Sequence, residues 1–206
     1  MPGRELDADH SNRWIAAIMA STLVAGAHSA AVRAAETALP LDTLMHELAQ
    51  RHSGHAAYVE RQYLAILERP LESSGELFYE APGRIEKRTW LPKPGSLILD
   101  RDTVRIQRGA HTYTVALRDY PQLAPLLASI RGTLAGDRGA LEQSYTVAFE
   151  STTDRWTLGL VPRDPAVAAV VARIRITGAG ATVHEIEMQQ ADGDRSVMTI
   201  QELTSK

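Results

Sequence analysis

Three histidines, His46, His52 and His55, are the nearest this chain comes to a metal-ligand cluster. Zinc takes four ligands in a firm tetrahedral geometry. The 46–52 spacing is not the i, i+4 step that puts two ligands on one helix face, and His52 and His55 flank Gly54, a natural helix stop. The pattern reads as solvent-exposed histidines near a helix C-terminus, where the dipole favours positive charge. No metal is expected. His111 and His184 fall on turn and strand positions without an obvious partner. Nucleophilic chemistry is no better supplied. There is no Gly-x-Ser-x-Gly elbow, and Ser73-Ser74-Gly75 reads as a turn before a strand. Asp100-Arg101-Asp102 and Asp192-Gly193-Asp194 bring carboxylates together but lack the spaced ligands of an EF-hand, so they read as solvated turns. Phosphate loops and dinucleotide fingerprints are missing too. Cysteine is absent, which removes disulfides, thiolate sites, cysteine nucleophiles and any cysteine-linked lipid anchor. Neither catalysis nor a cofactor is expected.

The elements around these residues say more. The chain has 206 residues and a net charge of −3, from 22 basic and 25 acidic side chains with no long like-charge run. Phosphate binding leaves a basic footprint, so no nucleic-acid partner is expected. Near the start, Arg4 and Arg13 precede the apolar run from Trp14 to Ala27, with small residues after it. The run is short and alanine-rich for a membrane span, and residues 1–34 read as a cleaved export signal. No internal repeat or low-complexity linker follows, so residues 35–206 read as one domain.

Leu41, Leu44, Met45 and Leu48 fall on one face of a short helix over 41–51, which Gly54 can end. Tyr58–Glu68 reads as a strand closed by Pro70. In Ser73–Lys87, Leu77 and Tyr79 alternate with Glu76 and Glu80, the period of a half-buried strand, and Pro82-Gly83 supplies the turn into the next. Arg84–Leu91, Ser96–Asp100, Thr103–Gln107 and Thr112–Leu117 continue an antiparallel meander. The period then changes: Leu123, Leu126, Leu127, Ile130 and Leu134 form a helical stripe over 121–135. Gly136-Asp137 offers a stop and a new N-cap for a turn through Leu141. Strands resume at Tyr145–Glu150, Arg155–Val161, Ala172–Thr177, Val183–Gln190 and Arg195–Leu203, with a helical turn at Asp164-Pro165 and a hairpin at Asp192-Gly193. Many strands with two apolar helices make an α+β arrangement.

The order and spacing of these pieces resemble the family of LolA, the periplasmic carrier of outer-membrane lipoproteins. The likeness runs over residues 38–203. It rests on the Gly75-to-Pro82 hairpin, the Leu123–Leu134 helix with Ala135-Gly136-Asp137, Trp156-x-Leu158-x-Leu160-x-Pro162, Ile174-x-Ile176-x-Gly178, and the final Val183–Ile186 and Asp192–Ser196 segments. In such carriers an arginine precedes the hairpin proline and fastens a helical lid; here Ala81 stands there. Ile85-Glu86-Lys87-Arg88 replaces an aromatic-rich strand, and Arg101-Asp102-Thr103-Val104 an aromatic pair. These departures mark a divergent branch.

The resemblance implies a curved antiparallel sheet forming an incomplete β-barrel, with the 41–51 and 121–135 helices on its concave side. It implies a hydrophobic cavity lined by Leu77, Tyr79, Ile85, Leu97 and Leu99 and covered by Leu123, Leu126, Leu127, Ile130 and Leu134. Lipoprotein or another lipid or acyl compound is the implied cargo. An inner-membrane releasing complex and an outer-membrane acceptor are the implied partners. A soluble periplasmic monomer is expected. A rival reading keeps the fold but makes it a lipid- or lipoprotein-sensing regulatory domain.

Overall fold

The computed structural model describes residues 39–119 and 131–203. The expected signal, residues 1–34, and Leu123, Leu126, Leu127 and Ile130 lie outside them.

Helix α1, Leu41–Ala49, buries Leu44, Met45 and Leu48 and carries Asp42 in its first turn, where the dipole favours an acid. It stops at Ala49, short of the expected 51, and Gly54 is not its terminator. Gly54 belongs instead to β1, Ser53–Tyr63, where it pairs with Tyr79. Small residues such as Ser53, Gly54, Ala56 and Ala57 are weak strand formers, yet β1 is central and pairs on both sides, so ladder hydrogen bonds outweigh local preference. The expected Tyr58–Glu68 strand is thus displaced towards the N-terminus. Residues 64–70 form a loop, in which Leu67 N–H donates to the Leu64 carbonyl at 2.9 Å.

The remaining strands are β2 (Leu71–Glu80), β3 (Arg84–Leu91), β4 (Gly95–Asp100), β5 (Thr103–Arg108), β6 (His111–Ala116), β7 (Tyr145–Ser151), β8 (Trp156–Pro162), β9 (Val171–Ala179), β10 (Thr182–Gln190) and β11 (Arg195–Glu202). Leu117, expected to end β6, instead starts a 3-10 turn, Leu117–Asp119. All eleven form one antiparallel sheet in the order β6-β5-β4-β3-β2-β1-β11-β10-β9-β8-β7. First and last strands meet in the middle, while β6 and β7 remain edges, so the barrel is incomplete.

Residues 131–134 are helical. Helix α2, Arg138–Ser144, begins where Asp137 accepts the Ala140 N–H at 2.9 Å, and it runs past Leu141. A last helical turn, α3, Pro165–Ala168, is capped by Asp164, which accepts the Ala166 N–H at 2.7 Å. Gly193, at φ +95°, makes the expected hairpin turn between β10 and β11.

The main core lies where α1 meets β7–β10. Leu44, Met45 and Leu48 pack with Leu141, Tyr145, Trp156, Leu158, Leu160, Val171, Ile174 and Ile176. Trp156 lies against Gly178, where an added Cβ would come within 2.4 Å of the ring, and its Nε1–H donates to the Gly180 carbonyl at 2.8 Å. Gly136, at φ +66°, lets its turn touch α1; a Cβ there would meet the Met45 carbonyl at 2.0 Å. A smaller cluster, Leu99, Val104 and Leu117, sits at the other side of the sheet.

Candidate functional site

Directly opposed residues of an antiparallel pair share a face, so the register identifies what faces the helix-bearing, inner side. Leu158 opposes Ile176, Ile176 opposes Ile186, Ile186 opposes Met198, and Met198 opposes Glu60. From β1 outward, Ala56 opposes Leu77, Leu77 opposes Lys87, Lys87 opposes Leu97 and Leu97 opposes Ile106. A parallel row runs Tyr79, Ile85, Leu99, Val104, Val115. The inner face is therefore one surface across all eleven strands.

The expected lining residues Leu77, Tyr79, Ile85, Leu97 and Leu99 all stand on this face. Leu99 is buried and the other four are half-buried. Ile106 and Val115 extend the row and were not singled out from sequence. Leu134 is half-buried at the end of the 131–134 helical piece. Burial pushes the Tyr79 phenol pKa up, because the charged phenolate is the form that loses solvation.

A polar cluster interrupts the apolar surface at β1–β3. Glu60 is 7% exposed. Its carboxylate accepts from Lys87 Nζ, which also lies 4.8 Å from the centre of the Tyr58 ring, and from Ser73 Oγ at 3.4 Å. Tyr58 and Thr89 flank Gly75 in the neighbouring strands, and their hydroxyls meet at 2.7 Å across it. Gly75 suits that crossing: a Cβ there would be 1.9 Å from the Arg88 carbonyl. Sequence reading missed Glu60 and Lys87 because charges in strands read as outward. The signal was parity, since Lys87 is two residues from Ile85 and Glu60 two from Tyr58.

At the turn end, the Arg131 guanidinium donates to the Arg101 carbonyl at 2.7 Å and lies beside buried Gly83. The residue before the hairpin proline is Ala81, and the arginine beside this turn belongs to the 131–134 helical piece.

On the opposite face an open cleft of about 870 Å³ is lined by His55, Phe78, Arg84, Glu86 and Arg88, among others. Its charges satisfy one another: Glu86 accepts from Arg84 at 3.3 Å and Arg88 at 2.7 Å. His55 stacks on Phe78 at 4.5 Å, and Arg88 lies 4.8 Å from the same ring. His55 is therefore not the freely exposed histidine the sequence suggests. Its Nε2 is shut from solvent, 3.4 Å from Glu76 Oε1. His46 and His52 are exposed. His111 stacks with Tyr113 at 6.4 Å. Asp192 and Asp194 hold turns: Asp192 accepts the Asp194 N–H at 3.0 Å, and Asp194 accepts the Ala65 N–H at 2.8 Å.

Among solved structures, a LolA superfamily protein from Nitrosomonas europaea is 10% identical, with 82% of this chain and 96% of that one covered and a TM-score of 0.42. LprF from Mycobacterium bovis is 11% identical over 78% of this chain and 91% of its own, with a TM-score of 0.35. The MucA/MucB complex of Pseudomonas aeruginosa gives 11% identity, coverage of 81% and 58%, and a TM-score of 0.43. No curated protein matches. The family model described as outer membrane lipoprotein carrier protein LolA-like matches residues 30–201. That span holds every strand but the last residue of β11, and the chain belongs to the LolA-like family of outer membrane lipoprotein carrier proteins.

Proposed function

We propose that this protein is a periplasmic carrier that holds acyl chains of a lipoprotein, or another lipid, on the inner face of β2–β6 and delivers them towards the outer membrane. One observation carries the reading. The apolar inner face continues through Leu77, Tyr79, Ile85, Leu97 and Ile106, beyond the strands that α1 covers, and these side chains stay half-buried. A surface of that kind is a liability unless a ligand or a movable segment covers it. The stripe of Leu123, Leu126, Leu127, Ile130 and Leu134 is our candidate cover.

Each methylene buried is worth about 0.8 kcal/mol, so a 16-carbon chain gains on the order of 12 kcal/mol gross. Release then requires a closed empty state whose own contacts replace those of the cargo. Binding and exchange suffice, and no bond needs to be made or broken. Residues 1–34 direct export and are removed. An inner-membrane complex loads the carrier and an outer-membrane acceptor unloads it.

The test is a titration with a fluorescent fatty acid. Wild-type protein should bind it, and Leu97→Glu, which puts a charge on the lining, should bind at least tenfold more weakly while keeping its circular dichroism. A wild type that binds no acyl probe would sink the proposal. Lipid extraction and mass spectrometry of native periplasmic material then identify the cargo, and N-terminal sequencing locates the cleavage.

A further inference from the structure

The inner face of β2–β6 changes character along the strand direction, and Lys87 marks the change. Towards the Pro82 turn the next row is apolar, with Tyr79, Ile85, Leu99, Val104 and Val115. Away from that turn, Thr89 stands between Gly75 and Gly95, which present no side chain. Lys87 itself lies between Leu77 and Leu97 and is half-buried. An acyl chain on this face therefore has one direction to run, from Lys87 towards Leu99 and Val104. Its polar end then falls at the lysine.

The cluster around that lysine has donors to spare. An ammonium carries three N–H groups. Among the described residues Glu60 is the one side chain that accepts from Lys87, and the Tyr58 ring lies on another side of it. The Tyr58 and Thr89 hydroxyls bond to each other, so one hydroxyl hydrogen is left over whichever of them donates. The charges, by contrast, are balanced, because Glu60 neutralises Lys87. Arg108 opposes Gly95 further along, but it is exposed and its charge is answered by water. An ionised head would shed its hydration here and meet no free countercharge, and burying a charge on those terms is costly. A carbonyl oxygen brings two lone pairs and no net charge. We propose that Lys87 selects the cargo by donating to the carbonyl of an ester- or amide-linked acyl chain. The inference rests on the carrier reading and names the linkage by which that cargo is held. Folding does not demand the lysine, since apolar side chains in place of a buried ion pair are commonly as stable.

The experiment displaces the bound fluorescent fatty acid with two competitors that differ in the carbonyl, glycerol monopalmitate and its ether analogue, glycerol monohexadecyl ether. Ionised palmitate is the third competitor. Wild type should prefer the ester to the ether by about tenfold, the effect of one hydrogen bond from a charged donor. Ionised palmitate should compete less well than the ester. In the Glu60→Gln/Lys87→Met double variant, checked for folding by circular dichroism, the ester-to-ether ratio should fall to about one. Equal affinity of wild type for ester and ether, a comparison that needs no variant, would overturn the proposal and leave the carrier reading standing. So would an ester preference that survives in the double variant, or palmitate that outcompetes the ester. A wild type that binds none of the acyl compounds would overturn the proposal and the carrier reading together.

Discussion

The two halves of the sheet are built from the same alternation and end in different states. On β8 and β9 the inward positions Trp156, Leu158, Leu160, Ile174 and Ile176 are all at or below 2% exposure, because the α1 stripe of Leu44, Met45 and Leu48 fills the space above them, with Val147, Phe149, Ile186 and Met188 partly buried beside them. On β2–β6 the equivalent row contains one residue so deeply placed, Leu99 at 1%, with Val104 at 5%, while Ile85, Leu97, Ile106 and Val115 are partly buried. A strand pattern therefore decides which face is apolar, and the cover above it decides whether that face is core or lining. The boundary between the halves is the Glu60–Lys87 cluster.

The largest effect that separates the halves is a matched truncation. Leu158→Ala opens a cavity in filled core and should lower unfolding free energy by about 2–5 kcal/mol. Leu97→Ala, on a half-buried position, should lose less than about 1.5 kcal/mol yet weaken acyl-probe binding. Denaturant midpoints of both variants check this. Equal losses would erase the distinction between core and lining.

The boundary comes next. Glu60→Gln leaves Lys87 without its carboxylate; with the Lys87 side chain 26% exposed, solvent screens part of the effect. A loss of about 1–3 kcal/mol is expected. Adding Lys87→Met should recover most of it, since an apolar replacement removes both the charge and its need for a partner. A double variant no better than the single one would show that the pair does more than neutralise itself. Smaller still, Asp137→Ala removes the α2 cap and should lose about 1 kcal/mol. Because α2 contributes Leu141 to the filled half, that loss should appear in stability and leave acyl binding unchanged.

Much of this was legible in the residues. Alternation around Leu77 and Tyr79, the Pro82-Gly83 and Asp192-Gly193 turns, and the caps at Asp137 and Asp164 all sit where local chemistry puts them. The α1 and β1 boundaries were not, because Gly54 looks like a helix stop until β2 pairs with it, Gly54 against Tyr79. Glu60 and Lys87 were hidden for a related reason. A charged residue at an inward position is tolerated only when a cross-strand partner arrives, and partners 27 residues apart cannot be matched without the register. His55 was misread alike, since its stacking partner Phe78 lies on the next strand.

The finest test uses Tyr79, among the described residues the one titratable side chain on the lining whose pKa is displaced. Burial raises it above the ordinary tyrosine value near 10. The sign is that of a group holding its proton more tightly when folded: its contribution to stability is fully present below the unfolded value and is lost as pH rises through the folded one. Tyrosinate absorbance of wild type minus Tyr79→Phe isolates this ionisation. If the β2–β6 face is the acyl site, a bound chain removes more water from the phenol, and the midpoint should move further up when the probe is added. A filled core would behave otherwise, for nothing could be added to it. A Tyr79 midpoint that does not move on saturation with probe would place the acyl chain away from this row, and the lining would have to be sought elsewhere on the inner face.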